Sequence, residues 1–164
     1  MKSPPLRAWV LCAILLPFCS FGGAATLQSA LAAKDSGAFE TAFMQFKQLA
    51  TSGDAAAQFQ LSLLYAAGRG TQPDAKESLY WLRLSAARGD PQAQSNLGVA
   101  FTKGRGVAQD LIRAWVWFSA AAVSGDSVAT TNRDVVANKL TEQQRMQAKA
   151  LLVECQSKGF KACL

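Results

Sequence analysis

Gly89-Asp90-Pro91-Gln92-Ala93-Gln94 decides how this chain is read, because its opening pair occurs twice more at one fixed distance. Gly53-Asp54 lies 36 residues earlier and Gly125-Asp126 lies 36 residues later. Between these marks Ala57-Gln58, Leu61, Tyr65, Gly68-Arg69-Gly70, Asp74, Trp81 and Ala86 return as Ala93-Gln94, Leu97, Phe101, Gly104-Arg105-Gly106, Asp110, Trp117 and Ala122. Self-similarity at a single period marks a stacked repeat array.

Within a unit the apolar spacing is helical. Ala57, Leu61, Leu64 and Tyr65 make one stripe, and Ala93, Leu97, Ala100 and Phe101 repeat it. This first helix of each unit is helix A. A second, helix B, is expected over Asp74 to Arg88 and over Asp110 to Ser124, with Leu79, Leu82 and Ala86 as the stripe of the first and Trp81 beside them. The ends have local causes. Asp54, Asp90 and Asp126 can cap helix A, and Asp74 and Asp110 can cap helix B. Pro91 sits just inside its helix, where a missing N–H costs nothing. Gly53, Gly89 and Gly125 suit the left-handed residue that closes a helix. Small residues such as Ala86, Ala87, Ala93 and Ala120 to Ala122 allow close helix approach, and Tyr65, Trp81, Phe101 and Trp117 fill the space between pairs.

The run Gly-Asp, Ala-Gln, Leu, Tyr/Phe, Gly-Arg-Gly, Asp, Trp, Ala, Gly resembles the Sel1-like repeat, a relative of the tetratricopeptide repeat, over roughly residues 37 to 125. The resemblance implies an all-α fold, a right-handed α/α solenoid of helix-turn-helix repeats that serves as a scaffold for protein contacts. The expected organisation is a signal peptide at 1–25, N-terminal capping helices forming a degenerate repeat at 26–53, repeats at 54–89 and 90–125, and C-terminal capping helices at 126–164.

The flanks support that division. Lys2 and Arg7 precede an almost wholly apolar run from Ala8 to Phe21, and Gly23-Ala24-Ala25 offers small residues for cleavage after Ala25, the pattern of a secretory leader. The run is shorter than the roughly 20 residues a membrane span needs; an uncleaved anchor is the alternative. Phe18 before Cys19 argues against a lipoprotein. Thr26 to Lys34 reads as a short helix. Ala38 to Thr51 reads as a helix B with Ala42, Phe46, Leu49 and Ala50 inward, and Gln45 where the tryptophan would stand. After Gly125 the repeat decays: Arg133 falls at the Leu61 and Leu97 position. Thr141 with Gln144 forms a capping box, and a last helix is expected from Glu142 to Ser157 with Met146, Ala150 and Val153 inward. A segment such as Arg133-Asp134-Val135-Val136-Ala137 followed by a Thr-capped helix resembles the end of many secreted members of the family.

Cys12 and Cys19 fall in the leader, which leaves Cys155 and Cys163. In an exported chain an even pair points to a disulfide; two free thiols are the other reading. The chain has 17 basic and 11 acidic residues, a formal charge of +6, spread along its length. The surplus reads as ordinary solvation rather than a nucleic-acid or membrane face. Half the residues are hydrophobic, enough for one modest core.

The chain contains no histidine, which removes the commonest general base, the usual triads and most metal sites. There is no Gly-Lys-Ser/Thr phosphate loop, no Ser-x-x-Lys and no Gly-x-Ser-x-Gly. Most aspartates have a capping explanation, so no acid/base pair stands out. No catalytic group, cofactor or metal is expected. Some cysteine-rich members of the family are linked to β-lactam binding, but their cysteines lie within each repeat, and this chain has none there.

The resemblance implies that helix A lines the concave face of the superhelix. That assigns the inward ridge to Phe59, Leu63 and Ala66 in the first repeat and to Ser95, Val99 and Thr102 in the second. Phe59 and Leu63 are an apolar pair that either anchors a partner or packs under the N-terminal helix. Arg69 and Arg105, on equivalent loops, either contact acidic groups or are simply solvated. The expected function is a non-enzymatic, periplasmic or secreted scaffold, monomeric, that binds a protein or peptide in its concave face, with the membrane met only through the leader during export. The alternative is an envelope-associated hydrolase or glycan-binding protein with an unrecognised carboxylate site.

Overall fold

A computed structural model describes residues 25–164; the expected leader, with Cys12 and Cys19, lies outside the described residues except for Ala25. Eight α-helices follow one another there: α1 (Leu27–Asp35), α2 (Phe39–Thr51), α3 (Ala55–Ala67), α4 (Ala75–Ala87), α5 (Pro91–Lys103), α6 (Leu111–Ala122), α7 (Ser127–Ala137) and α8 (Glu142–Lys158). A 3-10 turn, Phe160–Cys163, ends the chain. Each helix up to α7 packs on its neighbours in sequence, which makes an α/α solenoid.

The repeated residues explain the repeated geometry. The carboxylates of Asp54 and Asp90 accept the amides of Ala57 at 2.7 Å and Ala93 at 2.8 Å, and Asp126 accepts those of Val128 and Ala129. Asp74 and Asp110 cap α4 and α6 in the same way. The recurring Ala-Gln pair has a structural use as well. Gln58 and Gln94 are buried, and each donates its amide to the end of the preceding helix B, Gln58 to the Ala50 carbonyl at 3.0 Å and Gln94 to the Ala86 carbonyl at 3.2 Å. A helix end buried against its neighbour leaves carbonyls that need donors. These side chains supply them.

Two apolar clusters form the core. The first joins Ala42 and Phe46 of α2 to Leu61, Leu64 and Tyr65 of α3 and Trp81 of α4. The second joins Phe59 of α3 to Leu97 and Phe101 of α5 and Trp117 and Phe118 of α6, and continues into the C-terminal segment through Val136, Ala148 and Cys155. Gly98 lets α5 approach α6 closely: a Cβ there would stand 2.8 Å from the Phe118 ring.

The last helix is turned differently from the expectation. Met146 and Val153 are exposed, and the buried positions of α8 are Ala148 and Cys155, with Leu151 and Leu152 partly covered. Apolar residues are scattered round this helix, so periodicity singled out no unique face. Packing on α6 rather than α7 chose the other side. A disulfide joins Cys155 and Cys163, whose Cα atoms are 5.8 Å apart.

Asp90 carries a pH signature. Burial holds its carboxyl above the ordinary aspartate value of 3.8; the Asp54 carboxylate adds to this, and the Ala93 and Gln92 amides oppose it. The folded chain therefore keeps this proton to higher pH than the unfolded one, so this contribution to stability falls as pH rises through the window above 3.8. In denaturant titrations across that window, Asp90→Asn should flatten the corresponding part of the slope.

Gly70 and Gly89 both have positive φ, +72° and +90°. A Cβ on Gly89 would meet open space, whereas one on Gly70 would enter the Phe39 carbonyl at the start of α2. Gly89→Ala should cost about 1–2 kcal/mol, the left-handed penalty alone. Gly70→Ala should cost distinctly more, with the difference read from urea midpoints.

Candidate functional site

Two contiguous grooves open along α3. One, of about 700 Å³, lies between the end of α1, the start of α2 and α3. The other, of about 630 Å³, lies between α3, α4 and α5. Leu63 and Ala66 line both, so these two side chains form the ridge between them.

The second groove has an apolar floor of Leu79, Leu82 and Val99, with Leu63 on its rim and Asn96 and Arg105 among its walls. Arg105 has no carboxylate partner among the described residues. Asp74 also lines it, but its carboxylate is already engaged with the Lys76 and Glu77 amides at 2.9 and 3.1 Å. The Tyr65 hydroxyl, on α3, titrates above its usual value, chiefly because of burial and then because of the Glu77 and Asp74 carboxylates. In the first groove Arg69 lies over the Phe39 ring, 5.1 Å from its centroid. Lys34 donates to Gln60 Oε1 at 3.0 Å and stands 4.0 Å from the Asp35 carboxylate. The grooves thus combine apolar floors with cations at their edges.

Of the residues expected on the inward ridge, Leu63, Ala66 and Val99 line the grooves, and so do the loop arginines Arg69 and Arg105. Phe59 does not. It is only 5% exposed and belongs to the core cluster of the second repeat, against Ala93 and Leu97 rather than under the N-terminal helix. Ser95 and Thr102 are half-buried and absent from the groove walls; the Thr102 hydroxyl is used within α5, donating to the Gly98 carbonyl at 2.8 Å. The ridge assignment took positions two before and two after Leu61. These are equivalent by symmetry on an isolated helix, and only the next repeat decides which one is covered.

Gln60 and Asn96 lie outside the expected ridge, yet they line the two grooves at positions 36 apart and are polar in both repeats. That periodic polarity beside the buried Leu61 and Leu97 was the available signal. By spacing, Leu79 and Leu82 are stripe residues of helix B. Their exposed edges reach the groove only because α4 and α5 meet there. Among the described residues no group of three His, Cys, Asp or Glu side chains could hold a metal ion, and no helix is long and apolar enough to cross a membrane.

Phe59 and Leu63 can be told apart by stability. Phe59→Ala should destabilise by about 3–5 kcal/mol, as for a core aromatic. Leu63, 42% exposed, should lose about 0.5 kcal/mol or less on truncation to alanine. Chemical denaturation of the two variants checks both values.

Comparison with known proteins places the architecture. The Sel1 repeat matches at residues 55–90 and 91–126. A protective antigen present in uropathogenic Escherichia coli strains, which displays an SLR fold, superposes with a TM-score of 0.69 and 30% identity over 82% of this chain and 31% of its own. A Sel1 repeat protein from Oxalobacter formigenes superposes with a TM-score of 0.66 and 28% identity over 81% of this chain and 63% of its own. The chain thus spans less than two thirds of the length of each. No curated protein sequence matches it. Two matched repeats, the same fold in both neighbours and the periodic packing described above show that this chain carries two Sel1 repeats in a Sel1-repeat solenoid.

Proposed function

We propose that this protein is an exported, non-enzymatic adaptor that works as a monomer and holds a protein or peptide segment in the two grooves along α3. The observation that carries this reading is the ridge of Leu63 and Ala66, with an open groove on either side. A solvent-facing leucine between apolar-floored clefts is what a partner side chain can cover. The unpaired Arg105 and the Arg69 guanidinium at the edges favour segments that carry carboxylates. Sel1 repeats generally mediate protein–protein contacts, which agrees with this use of the surface.

Export is part of the proposal. It rests on the basic and apolar N-terminal sequence and on the disulfide near the other end, a bond that persists in oxidising compartments. The carboxylates favour no hydrolytic reading. Asp54, Asp74, Asp90, Asp110 and Asp126 all accept backbone amides at helix starts, so they are dispersed along the stack.

The test is affinity capture from periplasmic extract with the wild-type chain, Leu63→Glu and Val99→Glu. Leu63→Glu places a charge on the exposed ridge; Val99 is partly buried against the core, so circular dichroism first checks that Val99→Glu keeps its helicity. A partner retained by wild type should be lost from both variants, and its retention by both would remove the grooves as the binding surface.

A further inference from the structure

The C-terminal end breaks the repeat pattern in a directed way. By repeat spacing α8 would pair with α7, as each helix B pairs with its helix A. It lies on α6 instead, and the 3-10 turn beyond it reaches α4. Equivalent positions register the change: Met44 and Tyr80 are exposed, whereas Val116, 36 residues beyond Tyr80, is fully buried. Phe160 of the turn lies against Trp117, ring centroids 5.5 Å apart. Trp117 has no exposed surface, while Trp81 keeps 9%.

This cover satisfies shape but not hydrogen bonding. Trp81 Nε1 donates to Glu77 Oε2 at 3.0 Å. The residue equivalent to Glu77 is Arg113, which offers no acceptor, and Trp117 Nε1 is buried without a partner. Ser119 Oγ on the same helix is also buried and unpaired. Groups left like this cost about 1–3 kcal/mol each, and folded proteins rarely keep them. The tail places an aromatic ring against Trp117 and leaves the Trp117 donor unanswered.

We propose that Gly159–Leu164 is an intramolecular lid over a ligand slot on α6, latched by the Cys155–Cys163 disulfide. The slot's own ligand is an aromatic side chain of a partner with a carbonyl or carboxylate acceptor beside it, which takes the place of Phe160 and accepts from Trp117 Nε1. A dithiol reductant opens the latch: its thiolate attacks one sulfur, a mixed disulfide forms, and the reductant leaves as its own disulfide while Cys155 and Cys163 each end as a protonated thiol. Both cysteines are buried, so attack follows fraying of the chain end. The slot lies apart from the grooves along α3, and the two readings stand or fall separately.

The test uses the full chain with Trp9→Phe, Trp81→Phe and Trp115→Phe, which leaves Trp117 as the only one of the four tryptophans. Acrylamide quenching and emission are measured before and after dithiothreitol, with helicity followed by circular dichroism. The probe ligand is 8-anilinonaphthalene-1-sulfonate, an aromatic ring bearing anionic acceptors. Reduction should redden Trp117 emission, raise its quenching several-fold and raise probe fluorescence excited through Trp117, all with helicity retained. Phe160→Ala should do the same without reductant. Unchanged quenching in both cases would overturn the lid. Loss of most helicity on reduction would make the disulfide a brace for the whole fold and overturn the latch, and quenching without probe binding would overturn the slot.

Discussion

The helices here run from nine residues in α1 to seventeen in α8, below or only slightly above the length of about 12–15 residues under which isolated helices are marginal in water. Their stability has to come from sideways contact. Tryptophan and leucine stripes are buried only when the next pair is in place, so stacking is the interaction on which the rest of the molecule depends. It explains why one cluster holds α2, α3 and α4 and the next holds α3, α5 and α6. Phe59 on α3 belongs to the second cluster while Leu61 belongs to the first. A single helix thus serves two neighbours, and removal of either would strip one side of it.

Close stacking also creates a polar problem that the repeat solves with its own residues. Helix ends press against adjacent helices, where water cannot reach their free amides and carbonyls. Aspartate at each helix start answers the amides, and the glutamine of the Ala-Gln pair answers the carbonyls. Because these groups are fully employed in the stack, they are withdrawn from function. The grooves along α3 that we propose for a partner use other residues of helix A, and there Gln60, Leu63, Asn96 and Val99 recur at equivalent places.

The ends of the array show where the repeat logic stops. At the front, α1 and α2 keep the geometry without the tryptophan, because Phe46 fills the core there. At the back, α7 keeps the aspartate cap and packs on α6, although the signature leucine has become Arg133. The helix after it then folds back over α6 instead of extending the stack. This reversal covers apolar surface that another repeat would otherwise be needed to bury, and a covalent bond between Cys155 and Cys163 closes it.

Helix starts, helix ends, the period and the fold class were all legible in the residues, because each depends on contacts within a few positions of the chain: an aspartate with the amides that follow it, a glycine with its own φ, a stripe with its own turn. The face of a helix that meets solvent is a different kind of quantity. Phe59 and Leu63 flank Leu61 symmetrically, and Met146 and Ala148 are both apolar residues of α8; nothing within either helix separates them. Only the approach of α5 to α3, and of α8 to α6, decided which were buried. Burial is a property of two surfaces together, and the second surface is set by the tertiary packing rather than by the local sequence.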